Sequence, residues 1–121
     1  MSAADRPIVA YREVMGDAVV NRSVQPDGSV VVELRGELDL AINEALRLLL
    51  VETATTVRPP RIVVDMLHVS FVDSTGIGAL AAGYTAARSN GVKFTVRHLA
   101  PFIAEQLRMT GLYEHLVGAE N

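Results

Sequence analysis

The sequence predicts an α/β fold: one mixed β-sheet of four to five strands with three to four helices packed on it. Two observations predict this fold class. Short runs rich in β-branched residues alternate along the chain with stretches whose apolar residues recur at helical spacing. The first two strand-like runs are joined by a tight-turn sequence, whereas the later ones are separated by helices, which favours parallel pairing. The chain has 121 residues, a length typical of one domain.

The N-terminal part of the chain predicts a β-hairpin. Residues 17–24 and 29–35 are rich in β-branched residues, and Gln25-Pro26-Asp27-Gly28 between them has the residue types of a tight turn. Residues 1–16 show no clear period. We therefore interpret them as an N-terminal extension and assign the domain to residues 17–121.

The middle of the chain predicts a crossover between two parallel strands. Gly36-Glu37-Leu38-Asp39 predicts a loop that ends in a good helix N-cap, Asp39. Apolar residues follow at spacings of three and four as far as Pro59-Pro60, which ends the helix. Residues 61–65 form a short apolar run of the kind found in buried strands. Residues 66–73 then predict an extended loop. Its apolar anchors would be Leu67, Val69, Phe71 and Val72.

The C-terminal part predicts a second helix, a strand and a third helix. The second helix covers residues 74–89 and ends at Asn90-Gly91, where glycine suits the left-handed C-terminal position. Residues 92–97 alternate as a strand does, and Pro101 opens the third helix. One face of the second helix carries Ile77, Leu80, Ala81, Tyr84 and Arg88. The inner face of the third helix carries Phe102, Ile103 and Leu107.

Composition argues against several classes of function. The formal net charge is −3, there is no cysteine, and Lys and Arg do not form a run. Disulfides, thiol catalysis and cysteine-based zinc sites are thereby excluded, and the basic stripe of a nucleic-acid-binding domain is missing. No apolar run approaches the roughly 18 residues that a membrane span needs, and the N-terminus has no signal-peptide pattern. We expect a cytoplasmic protein without nucleic acid as a partner.

The most informative segment lies at the start of the second helix. Asp73, Ser74 and Thr75 are all strong N-cap types in a row. A hydroxyl in this position is expected to be exposed beside the positive end of the helix dipole, which favours a negatively charged group such as phosphate. The helix behind it carries a single charged residue, Arg88, and its outward positions Gly78, Ala82, Thr85 and Ser89 are all small. Such a surface indicates either a helix buried on both sides or a docking face for another protein.

Asp73-Ser74-Thr75-Gly76-Ile77-Gly78 resembles the phosphoacceptor motif of anti-sigma factor antagonists, the bacterial STAS-domain proteins. The resemblance runs from about Asp17 to Val117 and implies the STAS fold. Three further segments match the family in the same order: Gly36-Glu37-Leu38-Asp39, Ile62-Val63-Val64-Asp65-Met66 with Phe71-Val72, and Met109-Thr110-Gly111-Leu112. One segment departs from the family's pattern. After Asp39 many relatives have Thr or Ser and an Ala-Pro-like pair, whereas this chain has Leu40-Ala41-Ile42-Asn43.

The resemblance implies a regulator without catalysis of its own. In this family an anti-sigma factor is both the binding partner and a serine kinase, and the unphosphorylated antagonist binds it and releases the sigma factor. Phosphorylation of the serine after the Asp, here Ser74, breaks the complex, and a serine phosphatase resets the switch. The kinase binds ATP and Mg²⁺, so no cofactor or metal is implied for this chain. The implied contact residues are Gly36, Glu37, Leu38, Asp39, Asp73, Ser74, Thr75, Gly76, Ile77 and Gly78.

The same residues have plainer interpretations. Ser74 or Asp73 could serve only as a helix cap, and the Thr75 hydroxyl could replace Ser74 as the acceptor. The run from Gly76 to Ala81 matches a loose dinucleotide-binding pattern, but about eight residues separate it from the preceding strand, against the tight turn that this motif needs. Ser74 lacks the glycine pattern of a nucleophile elbow. A non-switching STAS module, acting as a scaffold in a sensory complex or as a transporter accessory subunit, is the alternative function.

Overall fold

The computed structural model describes residues 8–15 and 18–117. Its five strands form one sheet in the order β1-β2-β3-β4-β5. The strands are β1 (Ile8–Met15), β2 (Ala18–Val24), β3 (Val30–Leu38), β4 (Arg61–Val72) and β5 (Lys93–Arg97). The helices are α1 (Leu40–Glu52), α2 (Ser74–Ser89), α3 (Pro101–Met109) and α4 (Tyr113–Leu116). A π-helical turn, Thr53–Val57, continues α1.

The sheet is mixed, as the sequence predicts. Strand β2 pairs antiparallel with β1 and β3, whereas β3 with β4 and β4 with β5 are parallel pairs. Each parallel pair is joined by a helical crossover, α1 in the first case and α2 in the second. The predicted hairpin turn is also present, because the Gly28 N–H donates to the Gln25 carbonyl (2.9 Å) and Gly28 has a φ of +89°.

Strand β1 corrects the interpretation of residues 1–16 as an N-terminal extension of the domain; residues 1–7 and 16 of that segment lie outside the described residues. Its backbone pairs with β2 from Ile8 opposite Val24 to Met15 opposite Ala18. The sheet therefore begins before residue 17, where the domain was predicted to start. Strand β1 lies at the edge of the sheet, and a strand of this kind is stabilised by pairing with its neighbour more than by a strong pattern of its own.

The second half of β4 corrects two further expectations. The predicted loop over residues 66–73 is strand as far as Val72, and Gly36-Glu37-Leu38 is the end of β3 rather than a loop. The two segments pair with each other, with Leu38 opposite Val72. Strand β5 ends opposite Asp65, so this half of β4 has one strand neighbour. Two of the four predicted apolar anchors, Leu67 and Phe71, are exposed (59% and 50%), whereas Val69 and Val72 are buried.

Asp65 marks the point where β4 changes its surroundings. Its side chain is buried and accepts hydrogen bonds from the Leu67 N–H (3.0 Å) and from Nε of Arg97 (3.0 Å), and it contacts Nδ1 of His98 (3.1 Å). Burial by itself would raise the pKa of Asp65. The hydrogen bonds from Leu67, His98 and Arg97 outweigh it, and the pKa lies below its usual value of 3.8.

The core lies between the sheet and helices α1 and α2, and it is aliphatic. Leu34 and Leu38 of β3 and Ile62 and Met66 of β4 are fully buried. In α2, Ile77 and Leu80 are buried as predicted. The remaining buried positions of α2 are Gly76, Ala79, Gly83 and Ala87 rather than Ala81, Tyr84 and Arg88.

The buried face of α2 is shifted because this helix packs on α1 as well as on the sheet. A Cβ atom added at Gly83 would lie 2.9 Å from two Leu50 side-chain carbons and 3.0 Å from Phe94. The small residues on this side of α2 therefore allow close helix packing. Of the four predicted outward positions, Gly78, Thr85 and Ser89 are exposed and Ala82 is partly buried, so small residues occupy both sides of α2.

The remaining helices call for one correction. Ile103 and Leu107 of α3 are buried as expected, but Phe102 is 46% exposed.

Across residues 8–15 and 18–117, none of the helices has the length and apolar character needed to cross a bilayer.

Replacing a glycine of α2 by alanine should have opposite effects on the two sides of the helix. Gly83→Ala should lower the free energy of unfolding by about 1–3 kcal/mol, because the new methyl group overlaps Leu50. Gly78→Ala should raise it by about 0.5–1 kcal/mol, because a Cβ atom at Gly78 meets no atom within 4 Å and alanine favours the helix. Urea unfolding followed by circular dichroism measures both. Equal effects of the two substitutions would contradict the packing described.

The lowered pKa of Asp65 predicts a pH-dependent contribution to stability. The folded carboxyl group binds its proton more weakly than the unfolded one. The stabilisation is therefore present above the unfolded pKa and is lost as the pH falls through the folded pKa. Asp65→Asn should lower the free energy of unfolding by about 1 kcal/mol at neutral pH, with a smaller difference from wild type at about pH 3. Urea unfolding at both pH values tests this, and a difference that persists undiminished in acid would rule out the carboxylate charge as its source.

Candidate functional site

The candidate site lies where β3 and β4 end. Leu38 and Val72 are the last registered pair of these parallel strands. The next residue of each strand, Asp39 and Asp73, is the N-cap of the helix that follows. Because the strands run in the same direction and end together, α1 and α2 begin at the same edge of the sheet. This edge, at the carboxyl ends of parallel strands, is where α/β proteins commonly place functional groups.

Asp73 fixes the first turn of α2. Its Oδ1 accepts hydrogen bonds from the Thr75 N–H (2.9 Å), the Gly76 N–H (3.3 Å) and the Thr75 hydroxyl (2.6 Å). These hydrogen bonds lower the pKa of Asp73 below its usual value. The one from the Thr75 side chain has the largest effect, and those from the two backbone N–H groups add to it. The carboxylate is therefore ionised at neutral pH and satisfies N–H groups that a helix start otherwise leaves without partners.

Ser74 is the first residue of α2, and its side chain is exposed. No group within the described residues hydrogen-bonds to its hydroxyl. The interpretation of Ser74 as the helix cap is therefore wrong, since Asp73 performs that role. The Ser74 hydroxyl is left free to meet a molecule approaching from solvent.

The contact residues implied by the sequence divide into surface and core. Glu37, Asp39, Ser74, Thr75 and Gly78 are exposed, and Gly36 and Asp73 are partly so. The others, Leu38, Gly76 and Ile77, are buried and cannot offer side chains to a partner. We call the exposed set Glu37, Asp39, Ser74, Thr75 and Gly78 the Ser74 surface.

Two large apolar side chains adjoin the Ser74 surface. Leu40, the first residue of α1, directly follows Asp39 and is 62% exposed. Phe71, half exposed, lies opposite Glu37 in the register of β3 and β4. Exposed apolar groups beside a small-residue helix are typical of surfaces that bind other proteins.

Asn43 is a site residue whose role the sequence analysis did not predict. It lies in α1 and is 2% exposed. Its Nδ2 donates to the Leu38 carbonyl (3.0 Å) and to the Thr75 hydroxyl (2.8 Å), and it lies 3.4 Å from Oδ1 of Asp73. Asn43 thus joins the end of β3, the start of α1 and the first turn of α2. The available signal was an amide on the buried side of a helix that is otherwise aliphatic there.

Gly76 makes room for this amide. A Cβ atom at Gly76 would lie 3.2 Å from Oδ1 and 3.3 Å from Nδ2 of Asn43, and 3.4 Å from a Val72 methyl group. The glycine of the Asp73-Ser74-Thr75-Gly76 motif therefore has a packing role between α2 and Asn43.

Two of the three histidines contact residues outside the Ser74 surface. His98 contacts Asp65, and the His115 ring lies beside Tyr84. Within the ranges that the structure describes, His, Asp and Glu side chains do not gather in groups of three or more that could hold a metal ion.

The sequence is similar to those of known proteins. The family model described as "Mlab, STAS domain" matches residues 22–118. An anti-sigma F factor antagonist of Paenibacillus polymyxa is 28% identical over 87 residues, which cover 72% of this chain and 74% of that protein.

Solved structures share the fold. An anti-sigma factor antagonist from Mycobacterium paratuberculosis is 26% identical with a TM-score of 0.62, covering 96% of this chain and 87% of that one. The Bacillus cell fate determinant SpoIIAA in its phosphorylated form is 19% identical with a TM-score of 0.69, covering 81% and 88%. The murine Solute Carrier 26 family member A9 anion transporter contains a similar unit, 23% identical with a TM-score of 0.63, covering 92% of this chain but 19% of the transporter.

The hydrogen bonds at the start of α2 predict different consequences for adjacent substitutions. Asp73→Ala should lower the urea midpoint of unfolding, because the N–H groups of Thr75 and Gly76 lose their acceptor. Ser74→Ala should change the free energy of unfolding by no more than about 0.5 kcal/mol, since its hydroxyl lacks a partner within the described residues. Asp73→Asn, which keeps a capping oxygen, is the control. If Ser74→Ala destabilised the protein as much as Asp73→Ala does, Asp73 would not be the residue that caps α2.

Proposed function

The chain belongs to the STAS domain family, and on that premise we propose that it is an anti-sigma factor antagonist controlled by phosphorylation of Ser74. In its unphosphorylated form it binds an anti-sigma factor that is also a serine kinase, and the sigma factor is released. Phosphorylation of Ser74 ends this binding, and a serine phosphatase restores it. A protein that acts on sigma factors works in the cytoplasm.

The exposed Ser74 hydroxyl is the observation that carries the proposal. It lies at the first position of α2, outside the Asp73 cap and without a hydrogen-bond partner within the described residues. A kinase can reach it without opening the fold. The similarity to antagonists from Paenibacillus and Mycobacterium supports the general role, and the phosphorylated SpoIIAA structure shares this fold.

The proposed reaction needs one group from this chain. A lone pair of the Ser74 oxygen attacks the γ-phosphorus of ATP, which the kinase holds with Mg²⁺. The bond from that phosphorus to the β,γ-bridging oxygen breaks, ADP leaves, and the hydroxyl proton passes to a base of the kinase. This chain supplies the acceptor and its position, and needs no cofactor of its own.

Phosphorylation at this place would change the docking surface and leave the fold intact. The positive end of the α2 dipole favours an anion at its first residue, so the helix is not disrupted. The phosphate adds about −1.5 to −2 of charge and a bulky hydrated group beside Thr75 and Gly78. A partner packed against Leu40 and the Ser74 surface would have to desolvate that group, which opposes binding.

The alternative is a STAS module that does not switch, as a scaffold or a transporter accessory subunit. The similarity to a unit of the murine anion transporter keeps this alternative open, because the same fold occurs there as part of a much larger chain. The two functions differ in one respect that can be measured. A switch must take up phosphate at Ser74 and then lose its partner, whereas a scaffold keeps its partner.

Phosphate transfer to Ser74 is the direct test. Each purified anti-sigma kinase of the source organism is mixed with the protein and Mg-ATP, and intact-mass and peptide mass spectrometry locate the phosphate. We expect one phosphate, on Ser74, and none on Ser74→Ala. In pull-down and calorimetry, Ser74→Ala should bind the kinase as wild type does, and Ser74→Asp should bind at least about tenfold more weakly, which corresponds to about 1.4 kcal/mol.

Ser89→Ala is the matched control, since Ser89 is an exposed serine at the other end of the same helix. It should take up phosphate and bind as wild type does. Phosphate uptake by Ser74→Ala at the wild-type rate, or equal binding of Ser74→Asp, would refute the switch and favour the scaffold.

A further inference from the structure

We propose that Asn43 directs phosphorylation to Ser74 by withholding the neighbouring Thr75 hydroxyl from the kinase. The inference rests on the proposed function, because it concerns the choice between two adjacent hydroxyl groups at the same site. Ser74 and Thr75 are both exposed residues at the start of α2. Exposure alone does not choose between them.

The chemistry of the acceptor supplies the criterion. A hydroxyl that attacks phosphorus must present a free lone pair to the γ-phosphorus of the nucleoside triphosphate and release its proton to a base of the kinase. A hydroxyl that already donates its proton and accepts a hydrogen bond within its own protein must give up these bonds before it can turn toward the kinase and meet both requirements.

Both functions of the Thr75 hydroxyl are engaged. It donates its proton to Oδ1 of Asp73 (2.6 Å) and accepts a hydrogen bond from Nδ2 of Asn43 (2.8 Å). The short hydrogen bond to an ionised carboxylate is of the strong, charge-assisted kind. Ser74, one residue earlier, has neither contact within the described residues.

Asn43 is held in the orientation that this role requires. The Leu38 carbonyl can only accept, so the atom 3.0 Å from it must be the amide nitrogen. That nitrogen then also faces the Thr75 oxygen. Gly76 leaves the space in which the amide lies, since a Cβ atom there would come within 3.3 Å of both amide atoms.

If the Thr75 hydroxyl turned toward a kinase, two hydrogen bonds would break. Nδ2 of Asn43 would lose an acceptor, and Oδ1 of Asp73 would lose a donor. The Asn43 amide is 2% exposed, and its Oδ1 already lacks a partner among the described residues. The buried Nδ2 of Asn43 would lose its 2.8 Å hydrogen bond to Thr75 and keep only the longer 3.4 Å contact with Oδ1 of Asp73, so rotation of Thr75 toward a kinase is disfavoured. Rotation of Ser74 breaks no described hydrogen bond. Asn43 is therefore a positioning residue that acts through Thr75.

The first experiment needs no kinase. Three-bond couplings measured by NMR report whether the Thr75 side chain holds one χ1 rotamer. We expect one rotamer in the wild-type protein and averaging in Asn43→Ala. Asn90→Ala is the matched control, because Asn90 makes its side-chain hydrogen bond at the opposite end of α2 and should leave Thr75 fixed. Rotamer averaging of Thr75 in the wild-type protein would overturn the inference.

The second experiment uses the kinase that phosphorylates the wild-type chain and follows phosphate on Thr75 by peptide mass spectrometry. Ser74→Ala should show little transfer to Thr75. The double variant Ser74→Ala/Asn43→Ala should transfer to Thr75 at least about tenfold faster, equivalent to about 1.4 kcal/mol. Transfer to Thr75 that is equally slow in the folded double variant, or already rapid in Ser74→Ala, would overturn the role of Asn43.

Two further measurements keep the outcomes separate. Circular dichroism checks folding, and if Asn43→Ala fails to fold, Asn43→Ser replaces it, since the shorter side chain does not reach the Thr75 hydroxyl. If wild type takes up no phosphate from any of the kinases, the proposed function fails, and the rotamer experiment still decides whether Asn43 restrains Thr75.

Discussion

The parallel pairing of β3 with β4 is the constraint on which the site depends. Leu38 and Val72 end the two strands opposite each other, so Asp39 and Asp73 begin their helices side by side. The buried amide of Asn43 then connects the three segments that meet there. A shift of register between these strands would separate the two caps and remove the partners of the amide. The exposed hydroxyl of Ser74 is a product of this arrangement, because Asp73 occupies the capping position immediately before it.

Local signals predicted much of the fold. The Gln25–Gly28 turn and the bounds of α2 follow from residues whose partners lie a few positions away in the chain, such as the Asp73 cap. The sequence did not predict strand β1 or the second half of β4, because pairing with a neighbouring strand defines both of them. Most residues in the second half of β4 are also exposed, so this half lacks the apolar run of a buried strand. Asn43 was missed for the same reason, since its contacts on α2 are 30 and 32 residues away.

The small residues of α2 serve two purposes that a sequence pattern cannot separate. Gly83 and Ala87 are buried, and Gly83 lies where α1 approaches closely. Gly78 lies on the open side and belongs to the Ser74 surface. Of the two interpretations of this helix, burial on both sides is wrong, because Gly78, Thr85 and Ser89 are exposed, and the docking face stays a prediction. The distinction depends on the position of α1, which residue types alone do not reveal.

The separation of the capping group from the acceptor group has an evolutionary consequence. Asp73 maintains the helix, while the adjacent Ser74 hydroxyl contributes little to it. Under the proposed function, a single codon change at Ser74 would abolish regulation without any folding defect on which selection could act. Lineages that benefit from a permanently active regulator can reach one in a single step. Lineages that need the control can keep it only through selection on signalling itself.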